Sequence, residues 1–420
     1  MAETTDAALT PDRIAAAQRR TVWVLSLGQV LGGLAFGATV SLGAVLAAEI
    51  SGDEAFSGLA AAAVTLGTAA FAVPMASFAR RRGRRPSLAT GMAAALVGVL
   101  LVVLAVSLGS FPLLLVSFGL IGAGQAANLQ TRFAAADLAT DATRGRDLSL
   151  VVWATTIGAV LGPNLTGPGE VLGQAVGMPA LTGPYLITVV AQLLAIALYL
   201  VALRPDPLLL AQRVVASEAK SRTPRIAKPD QPTVARYAIF AVAAAHGVMV
   251  SVMAMTPVHL LHHGASLSVI GLTISLHIAG MFALSPVFGI LADRFGRIPT
   301  IMLGQVLLTA ALVTASFGQE STVAVTVALV LLGLGWSATT VSGSTLLTEA
   351  SSEAQRTRRQ GLSDLAMSLV GASGAILAGL VLSWIGYGGL ALVVGGAVVA
   401  TVLLAPFGRP PRGAVEPAVG

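Results

Sequence analysis

The chain has 420 residues, of which 55% are hydrophobic and only 10% charged, with a formal net charge of +6 and no cysteine. Soluble domains carry roughly 25% charged residues, and apolar runs of about 20 residues, each enough to cross roughly 30 Å of hydrocarbon as a helix, recur along the whole length. The sequence therefore reads as a polytopic membrane protein, without disulfides, thiolate metal sites or cysteine nucleophiles, and the placement of its basic residues points away from nucleic acid.

Residues 1–21 form a polar tail with no compact apolar stretch, so no cleavable signal peptide is expected. Six spans follow, at about 22–48, 57–79, 87–107, 112–136, 146–168 and 182–203, and make a first half, 22–203. Residues 204–234 hold Pro205, Pro207, Pro224, Pro229 and Pro232 and read as a cytoplasmic linker. Six more spans, at about 235–258, 268–292, 298–317, 322–348, 361–383 and 387–407, make a second half, 235–407. A second polar tail covers 408–420. The expected fold is all-α, with twelve transmembrane helices in two pseudo-symmetric six-helix bundles.

Lys and Arg fall in the tails and in the even-numbered loops, with Arg132 the one exception, near the same-side end of the fourth span. The opposite loops hold Glu49, Asp53, Glu54, Glu170, Glu320 and the histidines at 259, 262 and 263. This is the positive-inside bias, and it places both termini in the cytoplasm and the chain in the cytoplasmic membrane. R-R-R-G-R-R-P at 80–86 and D-R-F-G-R-I-P at 293–299 follow the second and eighth spans, with Gly83 and Gly296 213 residues apart. Gly158 and Gly371 are separated by the same offset. Parallel six-helix repeats of this kind build transporters with a midplane site between the halves.

Over nearly its full length the chain resembles the major facilitator superfamily. The family loop signature, Gly-x-x-x-Asp-Arg-x-Gly-Arg, is complete in G-I-L-A-D-R-F-G-R, from Gly289 through Asp293 and Arg294 to Arg297. Asp293 can accept hydrogen bonds from nearby helix N-termini while Arg294 and Arg297 stay at the surface, a network that would latch one conformation and yield in the other. The first half departs from this pattern: Ala76 replaces the glycine and Arg80 the aspartate. The latch role there would pass to another carboxylate, with Asp137 and Asp147 as candidates. In the fifth span, G-A-V-L-G-P-N-L-T-G at 158–167 is similar to a motif of proton-coupled drug exporters, with Thr166 in place of a glycine. Gly158, Gly162 and Pro163 would give close packing and compliance, and Asn164 could line the cavity.

The seventh span places His246, Met249 and Met253 at i, i+3 and i+7, one helical face. The eighth adds His277 and Met281, with His277 and Met249 near one depth. Thioethers and imidazole favour Cu(I), and buried histidine is a functional candidate by default, while methionines at this spacing also serve as adaptable packing. Met-x-x-x-Met followed by His-x-x-x-Met on these two helices resembles the bacterial copper importers of the superfamily that supply cytochrome oxidase assembly. That resemblance implies copper as cargo, handled by Met249, Met253, His277 and Met281. His259, His262 and His263 on the outer side are candidates for metal capture or for sensing external pH, or form a solvated turn with no specific role.

Arg132 and Asp137 are expected as an interfacial pair, Asp364 lies near the inner end of the eleventh span, and His246 and His277 are the best-placed protonatable groups. With no nucleophile–base–acid set and no Gly-rich nucleotide loop, the sequence points to a secondary transporter rather than an enzyme. It needs no resident cofactor, and its partners are the bilayer and a small cargo, with coupling to protons as a symport candidate, in a monomer. The main expectation is import of copper ions. The rival is a proton-coupled exporter of a small organic molecule or drug, which 5% aromatic content mildly disfavours. A non-transporting sensor is a third reading, opposed by the intact second-half signature.

Overall fold

The computed structural model describes residues 10–53, 56–220 and 230–409, and every regular element in them is helical. Helices α1 (Pro11–Ser51), α2 (Ser57–Arg82), α3 (Arg84–Leu108), α4 (Phe111–Ala134), α5 (Arg144–Asn164), α6 (Thr166–Ala175) and α7 (Gly183–Ala202) build the first bundle. The interhelical segment carries α8 (Pro207–Lys220). Helices α9 (Pro232–His262), α10 (Leu267–Phe282), α11 (Ser285–Phe295), α12 (Arg297–Phe317), α13 (Thr322–Glu349) and α14 (Glu353–Leu403) build the second.

Local chemistry sets the helix starts. Proline occupies the first turn of α1, α4, α7, α9 and α11, where its missing N–H costs nothing. Ser266 and Ser321 cap α10 and α13 by accepting from the N–H groups of Val269 and Ala324. Gly83 and Gly296 turn the chain between α2 and α3 and between α11 and α12 with nearly the same backbone, φ 94° and ψ 170° against φ 99° and ψ 161°. A side chain is strained at that positive φ, so the repeat extends to the turn geometry.

Among the described residues nine stretches are long and apolar enough to cross a bilayer. One of these, α14 with 51 residues, crosses twice, broken at Gly386 where φ 71° and ψ −178° leave helical geometry. α1 with 41 residues and α5 with 21 supply the other passes of the twelve-helix fold. Two span boundaries differ from the sequence reading. The eighth span is two helices, parted after Phe282, with Pro286 in the first turn of α11. The proline cannot donate to the ladder and so forces a new start. The fifth ends at Asn164, before α6, instead of running to 168. The eleventh and twelfth part at Gly386, in the gap between 383 and 387 that the sequence reading leaves.

Each bundle has its own apolar core. Leu25, Met92 and Tyr199, with Phe118 and Tyr185 further along, pack the first, and Met249, Leu308, Leu329 and Tyr387 pack the second. Large side chains such as Trp23, Leu66 and Phe317 face outward, as lipid contact requires. The bundles meet where α5 packs on α11 and where α2 packs on α14. At the first seam a Cβ on Gly289 would sit 2.5 Å from the carbonyl oxygen of Gly145, and at the second a Cβ on Gly361 would sit 2.5 Å from the Cβ of Ala76. Only glycine lets the helices approach so closely.

Candidate functional site between the two halves

At the arginine-rich end of the bundle the halves are joined by polar groups. Asp293, at the end of α11, accepts from the backbone N–H groups of Gly145 and Arg146, 2.9 Å each, in the first turn of α5. A carboxylate facing a helix N-terminus meets both unpaired donors and the positive end of the dipole. Arg297 bridges Asp293 at 2.9 Å and Glu349 at 2.7 Å, and donates to the carbonyl of Asp141 in the other half at 2.9 Å. Arg144 reaches Glu349 from the first half, at 3.1 Å. Glu349 is thus held by an arginine from each bundle.

The other seam is built differently. The exposed Arg80, Arg81 and Arg82 occupy the positions around the missing aspartate. Arg84, fully buried, pairs with Asp137 at 2.8 Å and donates to Gln360 of the second half at 2.6 Å. Asp147 binds Arg146 and Gln18 inside the first half. A neutral amide thus completes the crossing here.

Deeper between the halves, Arg132 of α4 binds Asp364 of α14 at 2.5 Å. The Arg132–Asp137 pair expected from sequence does not form: proximity in the chain loses to the partner that the opposite bundle brings in. Asp364 is fully buried, and among the described residues its Oδ2 and the Arg132 Nε have no hydrogen-bond partner. Above them the indole N–H of Trp336 donates to Nδ1 of His246 at 3.1 Å, and Phe282 meets the same indole edge-on, centroids 5.7 Å apart. Since Nδ1 accepts, the neutral imidazole of His246 carries its proton on Nε2. His246 is half-buried, and its ring lies where a Cβ on Gly371 would be, 2.8 Å away. Gly158 approaches Gly33 inside the first half, and Gly162 is buried. Arg294 is exposed beside Phe295. The side chains of Pro163 and Asn164 lie outside the described residues.

The copper expectation is overturned. Met249 and Met281 are buried in the apolar core of the second bundle among Leu308, Leu312, Leu329 and Leu332, with Met253 packed against them. His277, also fully buried, donates from Nδ1 to the carbonyl of Leu329 at 2.7 Å. The part of the shared face that carries Met249 and Met253 is a packing face. Outside, His259 stacks on Tyr387 at 4.3 Å and donates from Nε2 to the Gln319 carbonyl, while His263 donates from Nδ1 to the His259 carbonyl. His262 is exposed. These bonds fold the outer turn onto the helix ends. Among the described residues no group of three or more His, Cys, Asp or Glu side chains could hold a metal ion, so neither the core set nor the outer histidines stand as a copper site.

Sequence reasoning missed Arg84, Glu349, Gln360 and Trp336. The repeat could have found one of them, because Arg84 is Arg297 shifted by the common 213 residues.

A model described as Major Facilitator Superfamily matches residues 25–264 and 238–419. The chain is 35% identical over 401 residues to the uncharacterized MFS-type transporter YdeG of Bacillus subtilis, a match covering 94% of this chain and 93% of that one. It is 29% identical over 376 residues to the riboflavin transporter RfnT of Brucella anthropi, covering 88% and 90%. The crystal structure of the human organic anion transporter MFSD10 has the same fold, with a TM-score of 0.74 at 16% identity over 92% of this chain and 99% of that one. The chain belongs to the major facilitator superfamily of membrane transporters, and is a transporter rather than an enzyme.

Proposed function

We propose that the chain moves a small organic solute across the cytoplasmic membrane by alternating access, coupled to protons through Arg132 and Asp364. The observation that carries this reading is the clasp across the arginine-rich face, where Asp293 caps α5 and Glu349 binds one arginine from each half. Such a clasp holds one side shut while the halves stay free to part there. The positive-inside bias makes that face cytoplasmic, so the arrangement is outward-facing, with 22–203 and 235–407 as the moving halves and 204–234 as their tether. Asp293, Arg297 and Glu349 then act as the gate. The similarity to RfnT, by name a riboflavin transporter, supports an organic cargo.

Proton coupling follows from the buried pair. Opening the face separates Arg132 from Asp364, and a buried charge left alone costs about 3–5 kcal/mol. A proton on Asp364 removes half of that cost, leaving Arg132 to water or cargo. The test is uptake and efflux in cells expressing the chain or D364N, with riboflavin, a panel of uncharged organic solutes and copper as probes. Organic accumulation that responds to external pH and is lost in D364N is expected, with cell copper unchanged. Copper accumulation without any organic flux would defeat the reading.

A further inference from the structure

Several hydroxyl groups of helix α13 are bonded: Thr326 pairs with Thr273 and Thr339 accepts from Gln305. Thr345 and Thr348 bond back to the carbonyls of Val341 and Ser344, the usual arrangement inside a helix. Ser337, Thr340 and Ser344 are at most 1% exposed, and none of their hydroxyls has a partner among the described residues. Buried polar groups are nearly always satisfied, so three neighbouring exceptions on one helix need an explanation. Ser342 is a fourth, off their line.

The three stand at i, i+3 and i+7, one face of the helix, with Thr348 continuing it at i+11. Val341, within the same face, packs on Ala136, Leu148 and Val152 of the first bundle, so the row lies at the boundary between halves. Its upper end adjoins Trp336, which holds His246. At its lower end Thr348 accepts from Gln360 at 3.4 Å, and Gln360 accepts from Arg84. α13 and α14 run antiparallel, so Asp364, one turn above Gln360, falls near the level of Ser344, one turn above Thr348. The row leads from the aromatic cluster, past the Arg132–Asp364 pair, to the clasp.

We propose that Ser337, Thr340 and Ser344 form a hydrogen-bonding track for a hydroxyl- or carbonyl-bearing solute, hidden while the arginine-rich face is closed and offered to cargo when it opens. The proposal rests on the transport reading above and adds the chemistry of the cargo. Hydroxyls both donate and accept, so the track takes polyols, amides and ring carbonyls, and gives a bare cation or a hydrocarbon nothing. The groups charged or titratable around it are Arg132, Asp364, Arg84, Asp137 and His246. All but His246 are paired with an opposite charge, which leaves the hydroxyls as the neutral contacts.

The chain has no cysteine, so single cysteines can report on the track. Purified S344C, with T345C as the off-track control, is treated with a water-soluble thiol reagent in the wild-type gate background and in D293N, with E349Q as a second way to loosen the same clasp. Riboflavin is the probe, and flux through the wild-type chain is measured in parallel. S344C labelling is expected to rise about tenfold when the gate is loosened, as a shift toward the open population requires, and to fall again when riboflavin is added, while T345C stays unlabelled. Labelling of S344C that is equally slow in both loosened variants would overturn the track. So would labelling that riboflavin does not slow, in a preparation that transports it. Absence of riboflavin flux in the wild type counts instead against the choice of cargo, and the opening-dependent labelling still decides whether the row becomes exposed.

Discussion

Arg132 and Asp364 are the residues whose environment contrasts most with their chemistry: two charges, 4% and 0% exposed in their side chains, each with one polar atom unbonded. Removing one of the two leaves the other buried and alone, so R132A should lose about 3–5 kcal/mol of stability, whereas replacing both with apolar side chains should cost far less. Thermal unfolding of the two single variants and the double one in detergent gives the coupling directly. Met249 supplies the opposite kind of prediction. As a core side chain it should tolerate M249L with a change below about 1.5 kcal/mol and lose roughly 2–5 kcal/mol as M249A, with solute flux in M249L unchanged. A methionine ligand would show the reverse, intact folding and lost transport in M249L.

Asp230 offers a pH test outside the spans. Its carboxylate accepts from Arg359 at 2.6 Å and from the backbone N–H of Ser352 at 2.9 Å, and these bonds, the Arg359 one foremost, hold its pKa below the usual carboxylate range. A depressed pKa adds stability above the unfolded value near 3.9 and loses it as pH falls through the folded one. D230N should therefore unfold at a lower temperature than the wild type at pH 7, and the gap should close in acid. A gap that persists or widens there would refute the assignment.

At the scale of elements, hydropathy reveals the passes but not every break within one. The twelve apolar runs are legible because a bilayer demands about 20 apolar residues per helix. The interruption before Pro286 lies inside equally apolar text and only the proline marks it, whereas the kink at Gly386 falls in the gap at 384–386 between the last two spans read from the sequence. The same limit explains the metal error: a spacing of i, i+3 and i+7 puts His246, Met249 and Met253 on one face but does not say whether that face meets a cavity or a core. The loop signature was legible down to Asp293, because a helix end and a carboxylate are local features. The partners of Arg132 and Arg84 were not, being 232 and 276 residues away in the chain. Close glycine contacts carry a prediction at this scale. G289L should hold α5 and α11 apart and favour the open face, readable as a longer distance between spin labels on the two helix ends. An unchanged distance would show that the seam does not set the closed state.

For the whole molecule, two bundles with separate cores and a polar seam between them describe a body able to rock, and the asymmetry of that seam shapes how it does so. One side is latched by carboxylates, the other by Arg84 reaching a neutral Gln360 where the repeat would place an acid–helix contact. Opening should therefore begin on the side of α2 and α14, where fewer charges must separate. The most direct measurement is flux: purified chain in proteoliposomes, loaded with unlabelled riboflavin or another uncharged organic solute, given the labelled solute outside, with and without a pH gradient. Counterflow in the absence of a gradient, net accumulation only with one, and loss of accumulation but not counterflow in D364N are expected. No movement of any organic solute, from a preparation whose gate distances still change on D293N substitution, would contradict the account.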